Sequence, residues 1–331
     1  MSEERVYGIL DEVNIDKVQF GLEHAFTPWY GSSAYFSEAG IESQCYILGT
    51  DYWNNHTHYE TRIETSRKQI KKNMALVEKK TWLDTLYVCD HCFKYTNDQH
   101  LFQKHMELCE YQDKLPGKIK YLSPKHTIRR IKCHKHRVFA QCLSLFTKLL
   151  LDNKSTFFNL DHYEYYLIYE TGKNKPMGFF SKDLYSIEKN NLGTILVFPP
   201  YQRRGLGTLL IEFSYKLSGF QNCVSGPEKP LSPFGTALYM KYWSRVLCKE
   251  LLKLTATQST IQIQTIVEIT KFRLEDIVLA LKSMDSLYKH SNLNGSFSFC
   301  VSLDAVSEWA TKNKVHNFQP LIKDEYLLLE Y

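Results

Sequence analysis

The chain has 331 residues, of which 44% are hydrophobic and 14% aromatic, and it carries a formal net charge of +5. This composition excludes an intrinsically disordered chain and predicts a globular protein of two or three modules. There is no run of 18 apolar residues and no signal-peptide pattern at the start, so we expect a soluble, non-secreted protein without a membrane partner. Nine cysteines, an odd number, favour a reducing compartment and a metal site over disulfides.

The charge is unevenly distributed along the chain. Residues 1–60 hold 2 basic and 10 acidic side chains, whereas residues 61–150 hold 19 basic and 8 acidic ones. Such segregation is typical of a protein that handles both a basic peptide and nucleic acid, although ordinary solvated faces would explain it equally well.

The first motif in chain order is a cysteine and histidine group. Cys89 and Cys92 form a Cys-x2-Cys turn, and His105 and Cys109 lie four residues apart on one face of a predicted helix. Four soft ligands without an open position predict a tetrahedral, structural zinc site. Two nearby histidines compete as ligands but have no partner at helical spacing: His91 and His100.

The spacing of this finger also resembles that of DNA-reading fingers. Reading fingers usually occur in arrays and carry polar side chains on the helix. This chain has a single copy, and its helix carries Leu101, Phe102 and Met106. The pattern favours a scaffold role over base recognition.

The next motif is a strand, a tight loop and a helix between residues 192 and 217. Residues 194–198 are apolar and partly β-branched, which predicts a buried strand that ends at Pro199 and Pro200. Gly205 and Gly207 lie where a helical pattern begins, and backbone N–H groups at a helix start favour an anion. This strand–loop–helix pattern predicts a phosphate-binding loop, although glycines also occur in such turns without any ligand.

The loop lacks the lysine of a Walker motif and the third glycine of a dinucleotide fingerprint. Its sequence Q-R-R-G-L-G, residues 202–207, resembles the Q-x-x-R/G-x-G/A pyrophosphate cradle of acetyl-CoA-dependent N-acetyltransferases.

Further along the chain, residues 259–285 show two short helical patterns that are typical of a helix-turn-helix. Structural packing is the favoured role of that segment, and DNA contact stays open.

The order of these motifs resembles the MYST family of histone acetyltransferases. The matching blocks are "VQFGLEHAFTPWYGSSAYF", "LFTKLLLDNKSTFF", "DHYEYYLIYE", "PMGFFSKD", "PPYQRRGLGTLLIEFSYKLS" and "SGPEKPLSPFG". The resemblance implies an α+β fold: a GNAT-like acetyltransferase core, built as a mixed sheet with flanking helices, an N-terminal C2HC zinc finger and a C-terminal helix-turn-helix-like domain. The expected boundaries are 1–80 for entry strands and a variable insertion, 81–113 for the finger, 114–254 for the acetyl-CoA-binding core and 255–331 for the C-terminal domain, all acting as one unit.

The resemblance also implies roles for individual residues. Glu228 falls on the family's general base, and Ser232 on a residue that hydrogen-bonds the cofactor. The segment 193–197 would pair with the pantetheine arm as a strand-like partner. Lys154 falls on a lysine that the family acetylates on itself. Read without the family, Glu228 is a solvated loop carboxylate, and Lys154 is a favourable cation at the end of an apolar helix.

The complete set of expected acetyl-CoA contacts comprises the strand, the loop and the serine: Gly193, Thr194, Ile195, Leu196, Val197, Gln202, Arg203, Arg204, Gly205, Leu206, Gly207, Thr208 and Ser232. Thr194 departs from the family, because most members have a cysteine there, in the block N-x-A-C-I-L. A threonine without an adjacent base is a poor nucleophile. Two readings follow. Either the substrate lysine attacks acetyl-CoA directly, or the chain is a catalytically silent chromatin adaptor.

The short amino terminus and the ending "IKDEYLLLEY" resemble the branch of the family found in the fungal SAS silencing complex. That branch implies a nuclear enzyme that acetylates a lysine of the histone H4 tail, with protein subunits of a SAS-like complex and the nucleosome as partners. Contact with nucleosomal DNA stays open. A further alternative is a zinc-finger nucleic-acid-binding protein whose glycine loop only clamps phosphate.

Overall fold

The computed structural model of the chain describes residues 9–10, 12–36, 81–151, 159–257, 261–291 and 297–329. The chain divides into two compact units. Of the described residues, those within 1–118, 125–177 and 198–200 form the first unit, and those within 119–124, 178–197 and 201–331 form the second. Within the described ranges, no helix has the length and apolarity that crossing a membrane requires.

The strands are β1 (Ile9–Leu10), β2 (Ile15–Phe20), β3 (His24–Phe26), β4 (Gly31–Ser32), β5 (Leu83–Val88), β6 (Tyr95–Thr96), β7 (Lys118–Leu122), β8 (His126–Lys132), β9 (Tyr163–Glu170), β10 (Pro176–Asp183), β11 (Ile195–Val197), β12 (Leu287–Ser291) and β13 (Phe297–Val301). The helices are α1 (Gln99–Leu108), α2 (Arg137–Lys148), α3 (Leu206–Phe220), α4 (Pro233–Thr255), α5 (Ile263–Thr270), α6 (Leu274–Ser283) and α7 (Leu303–Lys312). The α+β class predicted from the sequence is confirmed.

Besides the short β1–β4 pair, the first unit is built on two sets of paired strands. In one set β2 pairs antiparallel with β3 and parallel with β5, and β5 pairs antiparallel with β6. In the other, β8 pairs antiparallel with β9, from His126 opposite Glu170 to Lys132 opposite Glu164. The interior of β9 is buried on both faces, which explains its nearly continuous aromatic and aliphatic sequence.

Four phenylalanines form the centre of the first unit: Phe20, Phe93, Phe146 and Phe198. Phe20 stacks on Phe146 with ring centroids 4.9 Å apart. Phe93 meets Phe198 edge to face at 5.3 Å, and none of the four is exposed to solvent. Each such pair contributes about 0.5–1.5 kcal/mol beyond the burial of its area. Since Phe93 directly follows Cys92, this cluster anchors the cysteine turn in the core.

The second unit combines the β10–β11 pair with helices α3 to α7 and the β12–β13 pair, which lies between α6 and α7 in sequence. Gly178 lies opposite Val197, and Phe180 opposite Ile195, in the β10–β11 pair. Between the helices, Trp243 Nε1 donates a hydrogen bond of 2.8 Å to the hydroxyl of Tyr215. The Tyr215 ring meets Phe272 at 4.7 Å. This buried aromatic group ties α3 and α4 to the segment between α5 and α6.

Several predicted elements are observed, with shifts that have physical causes. Helix α3 begins at Leu206, as its apolar spacing predicted. Strand β11 is shorter than expected, because Pro199 and Pro200 enter a 3-10 turn at its end and Thr194 N bonds to the Ser181 side chain at its start. Only Leu196 is buried among its three residues. The two helical patterns near the C terminus form α5 and α6. The β12–β13 hairpin that follows them was not anticipated from the sequence.

Candidate active site and metal centre

The four predicted metal ligands meet in the first unit. The ligand atoms of Cys89, Cys92, His105 and Cys109 all lie within 4.8 Å of one another. The sulfurs of Cys89 and Cys109 are 3.8 Å apart, and Cys92 Sγ is 3.2 Å from His105 Nε2. Two sulfurs at about 2.3 Å from one tetrahedral zinc would be about 3.8 Å apart, so the observed spacing fits that ion.

Local sequence builds this cluster from two sides. Strand β5 ends at Val88, and the turn that follows closes through bonds from Phe93 N to Cys89 O and from Cys89 N to Lys94 O, both 2.9 Å. On the other side, the Asp98 carboxylate caps α1 by accepting from two backbone N–H groups. Because the cap fixes where α1 begins, it also fixes where the last two ligands lie.

Burial and mutual hydrogen bonds shift the pKa values of the clustered thiols. Hydrogen bonds from Cys89, and then from Cys92, lower the pKa of the Cys109 thiol. Burial raises the pKa of Cys92 well above its usual value. A divalent ion would replace these protons and neutralise the buried sulfurs. Among the residues that the structure describes, this group could hold zinc through four ligands.

The glycine loop lies in the second unit and is closed by a side chain. Gln202 Nε2 donates 3.0 Å to the carbonyl of Val197, the last residue of β11. Arg203 and Gly205 have left-handed backbones, with φ of 61° and 79°. Gly205 is the N-cap of α3 and supplies no side-chain cap. The first N–H groups of α3 therefore have no acceptor within the helix and are suited to an anion.

The two glycines of the loop are needed for different structural reasons. No described atom lies within 4 Å of the place where a Cβ on Gly205 would stand, so this position needs glycine for its φ and leaves room for a ligand. A Cβ on Gly207 would come within 2.9 Å of Leu238 Cδ2. Gly207 thus allows α3 to approach α4 closely.

The arginines of the loop are exposed, and the guanidinium of Arg204 lies over the Tyr201 ring, 5.5 Å from its centroid. Two exposed cations beside the N-terminus of α3 add to its attraction for a phosphate. The remaining loop positions, Leu206 and Thr208, belong to the first turn of the helix. Their side chains are buried and half-buried.

Strand β11 leads from this loop to the proposed base. Among the described strands it pairs with β10 alone. Just before it, the chain bonds to Ser181 of β10: Thr194 N donates 2.8 Å to Ser181 Oγ, and Ser181 N donates 2.8 Å to Thr194 O. Gly193 N in turn donates 2.8 Å to Ser181 O. Ser181 is therefore the residue that sets the backbone at the family's cysteine position.

Glu228 lies against the same stretch. Its N–H donates 2.8 Å to Leu192 O, and its Oε2 is 2.9 Å from the place where a Cβ on Gly193 would stand. The structure thus brings the predicted base to the start of the predicted cofactor strand, 35 residues away in sequence.

Ser232 caps α4, and its Oγ accepts from Gly235 N at 3.1 Å. A serine hydroxyl that accepts in a cap can still donate to a ligand. Lys154, the expected autoacetylation position, lies outside the described residues.

Sequence reasoning missed two contributors in addition to Ser181. Arg273 and Asp276, at the start of α6, contact the loop that carries Glu228. No local motif signals them, because their partners are more than 40 residues away and nothing in their own segment suggests chemistry.

Comparison with known proteins agrees with these features. Residues 114–327 match the MOZ/SAS family. The chain is 45% identical over 328 residues to Histone acetyltransferase SAS2 of Saccharomyces cerevisiae, which covers 99% of this chain and 88% of that protein. It is 37% identical over 226 residues to the Histone acetyltransferase Tip60 homolog of Caenorhabditis elegans, covering 67% of this chain and 48% of the relative.

Histone acetyltransferase MOF of Drosophila melanogaster is 37% identical over 202 residues, covering 60% of this chain and 24% of that protein. The chain thus spans about half or less of these two animal relatives, but nearly all of the yeast one. The family match extends over more than half of the chain. The chain therefore belongs to the MOZ/SAS family, the MYST histone acetyltransferases, which use acetyl-CoA.

Proposed function

We propose that the chain transfers an acetyl group from acetyl-CoA to a lysine in the N-terminal tail of histone H4, with Glu228 as the general base. The observation that carries the proposal is the position of the Glu228 carboxylate beside Gly193, at the start of the strand that leads into the glycine loop. That position would place a proton acceptor next to a thioester lying along β11.

The chemistry needs such an acceptor. A lysine with pKa about 10.4 is neutral in only about one molecule in 2,500 at pH 7, a deficit of about 4.6 kcal/mol. A positioned carboxylate relieves it by accepting a proton from the lysine Nζ. The neutral amine then attacks the thioester carbonyl and the carbon–sulfur bond breaks. The proton that the attacking nitrogen loses passes to the departing sulfur, so coenzyme A leaves as its thiol. Acetyl-CoA supplies the activated acyl group.

Cofactor binding is assigned to the strand and loop already described. The unpaired side of β11 would accept the pantetheine arm in the manner of an added strand. The start of α3 and the two exposed arginines, Arg203 and Arg204, would bind the pyrophosphate. Ser232 would donate its hydroxyl proton from the cap of α4. The open space at Gly205 supports this assignment, because a phosphate can approach the backbone there.

We assign zinc a structural role, since four protein ligands leave no position for a substrate. The histone substrate, a nuclear location and a role in chromatin silencing and transcription regulation are supported by the 45% identity to the yeast SAS2 protein over nearly the whole chain. By the same relation we expect partner subunits like those of a SAS complex. Contact between the C-terminal helices and nucleosomal DNA is a secondary expectation.

A second candidate is a catalytically silent chromatin adaptor, and Thr194 in place of the family's cysteine is the observation in its favour. Mass spectrometry of histone H4 peptide and nucleosomes, incubated with acetyl-CoA and the full chain, separates the two. We expect acetyl-lysine on H4 and a loss of about 10²- to 10⁴-fold in turnover for Glu228→Gln. Absence of acetylation, with and without partner subunits, would overturn the acetyltransferase proposal and leave the adaptor as the remaining candidate.

A further inference from the structure

The loop that carries Glu228 lies between two other chain segments of the second unit. On one side, Asn191 N donates 3.0 Å to Gly226 O, and Glu228 N donates to Leu192 O. On the other side, Ser225 N donates 3.0 Å to the backbone carbonyl that precedes Phe272. The base is therefore not on a freely hinged loop, and α6 follows directly after the second of these segments.

Arg273, the N-cap of α6, binds the loop just before the base. One terminal nitrogen of its guanidinium, Nη1, donates 3.3 Å to the carbonyl of Pro227. The other, Nη2, donates 2.8 Å to Glu188 O and 2.7 Å to Asn190 Oδ1. A planar guanidinium can hold these three acceptors at fixed angles, so Arg273 joins the base loop to the segment that precedes β11.

Asp276, in the first turn of α6, binds the loop just after the base. Its side chain is fully buried, and Oδ1 lies 2.8 Å from Lys229 Nζ. A Cβ on Gly226 would come within 2.5 Å of Asp276 Oδ2, so the loop can approach this carboxylate only with glycine there. The start of α6 thus contacts the chain on both sides of Glu228.

We propose that Arg273 and Asp276 are positioning residues for the proposed base: Arg273 holds the backbone carbonyl of Pro227, Asp276 holds the side chain of Lys229, and together they direct the Glu228 carboxylate toward Gly193. The inference rests on the proposed role of Glu228. A general base works only within hydrogen-bond reach of the proton that it accepts. Misplacement of a catalytic group by about 1 Å can cost about 100-fold in rate. This assigns the start of α6 the task of positioning the base for the chemical step.

The test compares Arg273→Gln with wild type, using the full chain, acetyl-CoA and a histone H4 tail peptide. We expect kcat to fall by about 10- to 100-fold, with both KM values changed less than about threefold. The loss should shrink above pH 8, because the neutral fraction of the substrate lysine rises about tenfold per pH unit and the need for a base declines. A merely structural loss would lower the rate by the same factor at every pH.

A double-mutant cycle with Glu228→Gln gives the decisive result. If Arg273 acts through Glu228, then Arg273→Gln should lower kcat little further in the Glu228→Gln background. Losses that multiply would overturn the positioning inference and leave the proposed function intact. A Glu228→Gln single variant with full activity would overturn the proposed base itself, so the two failures are distinguishable.

Matched variants keep the test interpretable. Arg245→Gln removes an arginine of α4 that lies over Phe318, and kcat should stay within about twofold of wild type. Asp276→Asn keeps the shape of its side chain and removes its charge, and it provides a second reading if Arg273→Gln folds poorly. We expect it to give the same pH-dependent loss, smaller in size. A pH-independent loss in both variants, matched by a lower melting temperature, would contradict the proposal.

Discussion

The carboxylate oxygen Oε2 of Glu228 lies 2.9 Å from the place where a Cβ on Gly193 would stand, and Ser181 Oγ lies 3.2 Å from the same point. Both distances are shorter than an ordinary contact of a Cβ with a neighbouring atom. A side chain at position 193 would therefore push the proposed base away from the strand. The absence of a Cβ at this position is what lets the carboxylate lie against the backbone.

A branched side chain at position 193 should lower the catalytic rate without unfolding the chain. We expect Gly193→Val to lower kcat by about 10- to 100-fold, because Glu228 must move. Gly193→Ala should lose less, since the end of a glutamate side chain can shift by a few tenths of an ångström. Steady-state kinetics measure the effect. As a control, Gly219→Ala in α3 meets open space and should leave kcat unchanged. Wild-type turnover in Gly193→Val would show that the carboxylate position is unimportant.

The threonine at the family's cysteine position should be dispensable as a nucleophile. We expect Thr194→Ala and Thr194→Cys to change kcat by less than about threefold, because a hydroxyl needs an activating base to form an acyl-enzyme. The backbone bonds between Thr194 and Ser181 do not depend on the side chain. Initial-rate kinetics should give intersecting double-reciprocal lines. Parallel lines, or an acetyl group on Thr194 in a trapped enzyme, would contradict direct attack.

The glycine loop should reject negative charge. Gly205→Glu places a carboxylate beside the expected pyrophosphate, and calorimetry should show acetyl-CoA affinity at least tenfold weaker than in Gly205→Gln, about 1.4 kcal/mol. The glutamine variant is the matched control, because both side chains have the same size and the same cost at a φ of 79°. Raising the salt concentration should reduce the difference in acetyl-CoA affinity between the two variants. Equal affinities of the two variants would show that the loop does not bind the phosphates.

Loss of a metal ligand should destabilise the first unit as a whole and not the finger alone. Cys92→Ser removes one of four ligands, and Phe93 beside it belongs to the phenylalanine cluster of the first unit. We expect the melting temperature to fall by on the order of 10 °C and bound zinc to drop well below one per chain. Cys223→Ser, at a half-buried cysteine outside the cluster, should keep both values. Well under one zinc per folded wild-type chain, by elemental analysis, would refute the structural site.

The zinc ligands and the start of α3 could be predicted from the sequence because each depends on residues only a few positions apart. The turn from Cys89 to Cys92 and the helical interval from His105 to Cys109 are set by backbone geometry within a few residues, and the structure brings all four together. The start of α3 at Leu206 follows from apolar periodicity in the same way. Strand β11 is shorter than the expected 194–198 segment because Thr194 N bonds to the Ser181 side chain instead of a backbone carbonyl, and because Pro199 and Pro200 begin a 3-10 turn.

By itself, the sequence determined the α+β class, the four candidate zinc ligands and the strand–loop–helix unit, and its motif order indicated the family. The zinc ligands and the strand–loop–helix unit depend on helical and strand periods and on turn chemistry, which act between near neighbours, and the fold class came from the resemblance to the family. Only the tertiary structure decided that Glu228 meets Gly193, and that Arg273 and Asp276 bind the loop on either side of the base. Such contacts join segments tens of residues apart, and they exist only because packing of the second unit brings those segments together.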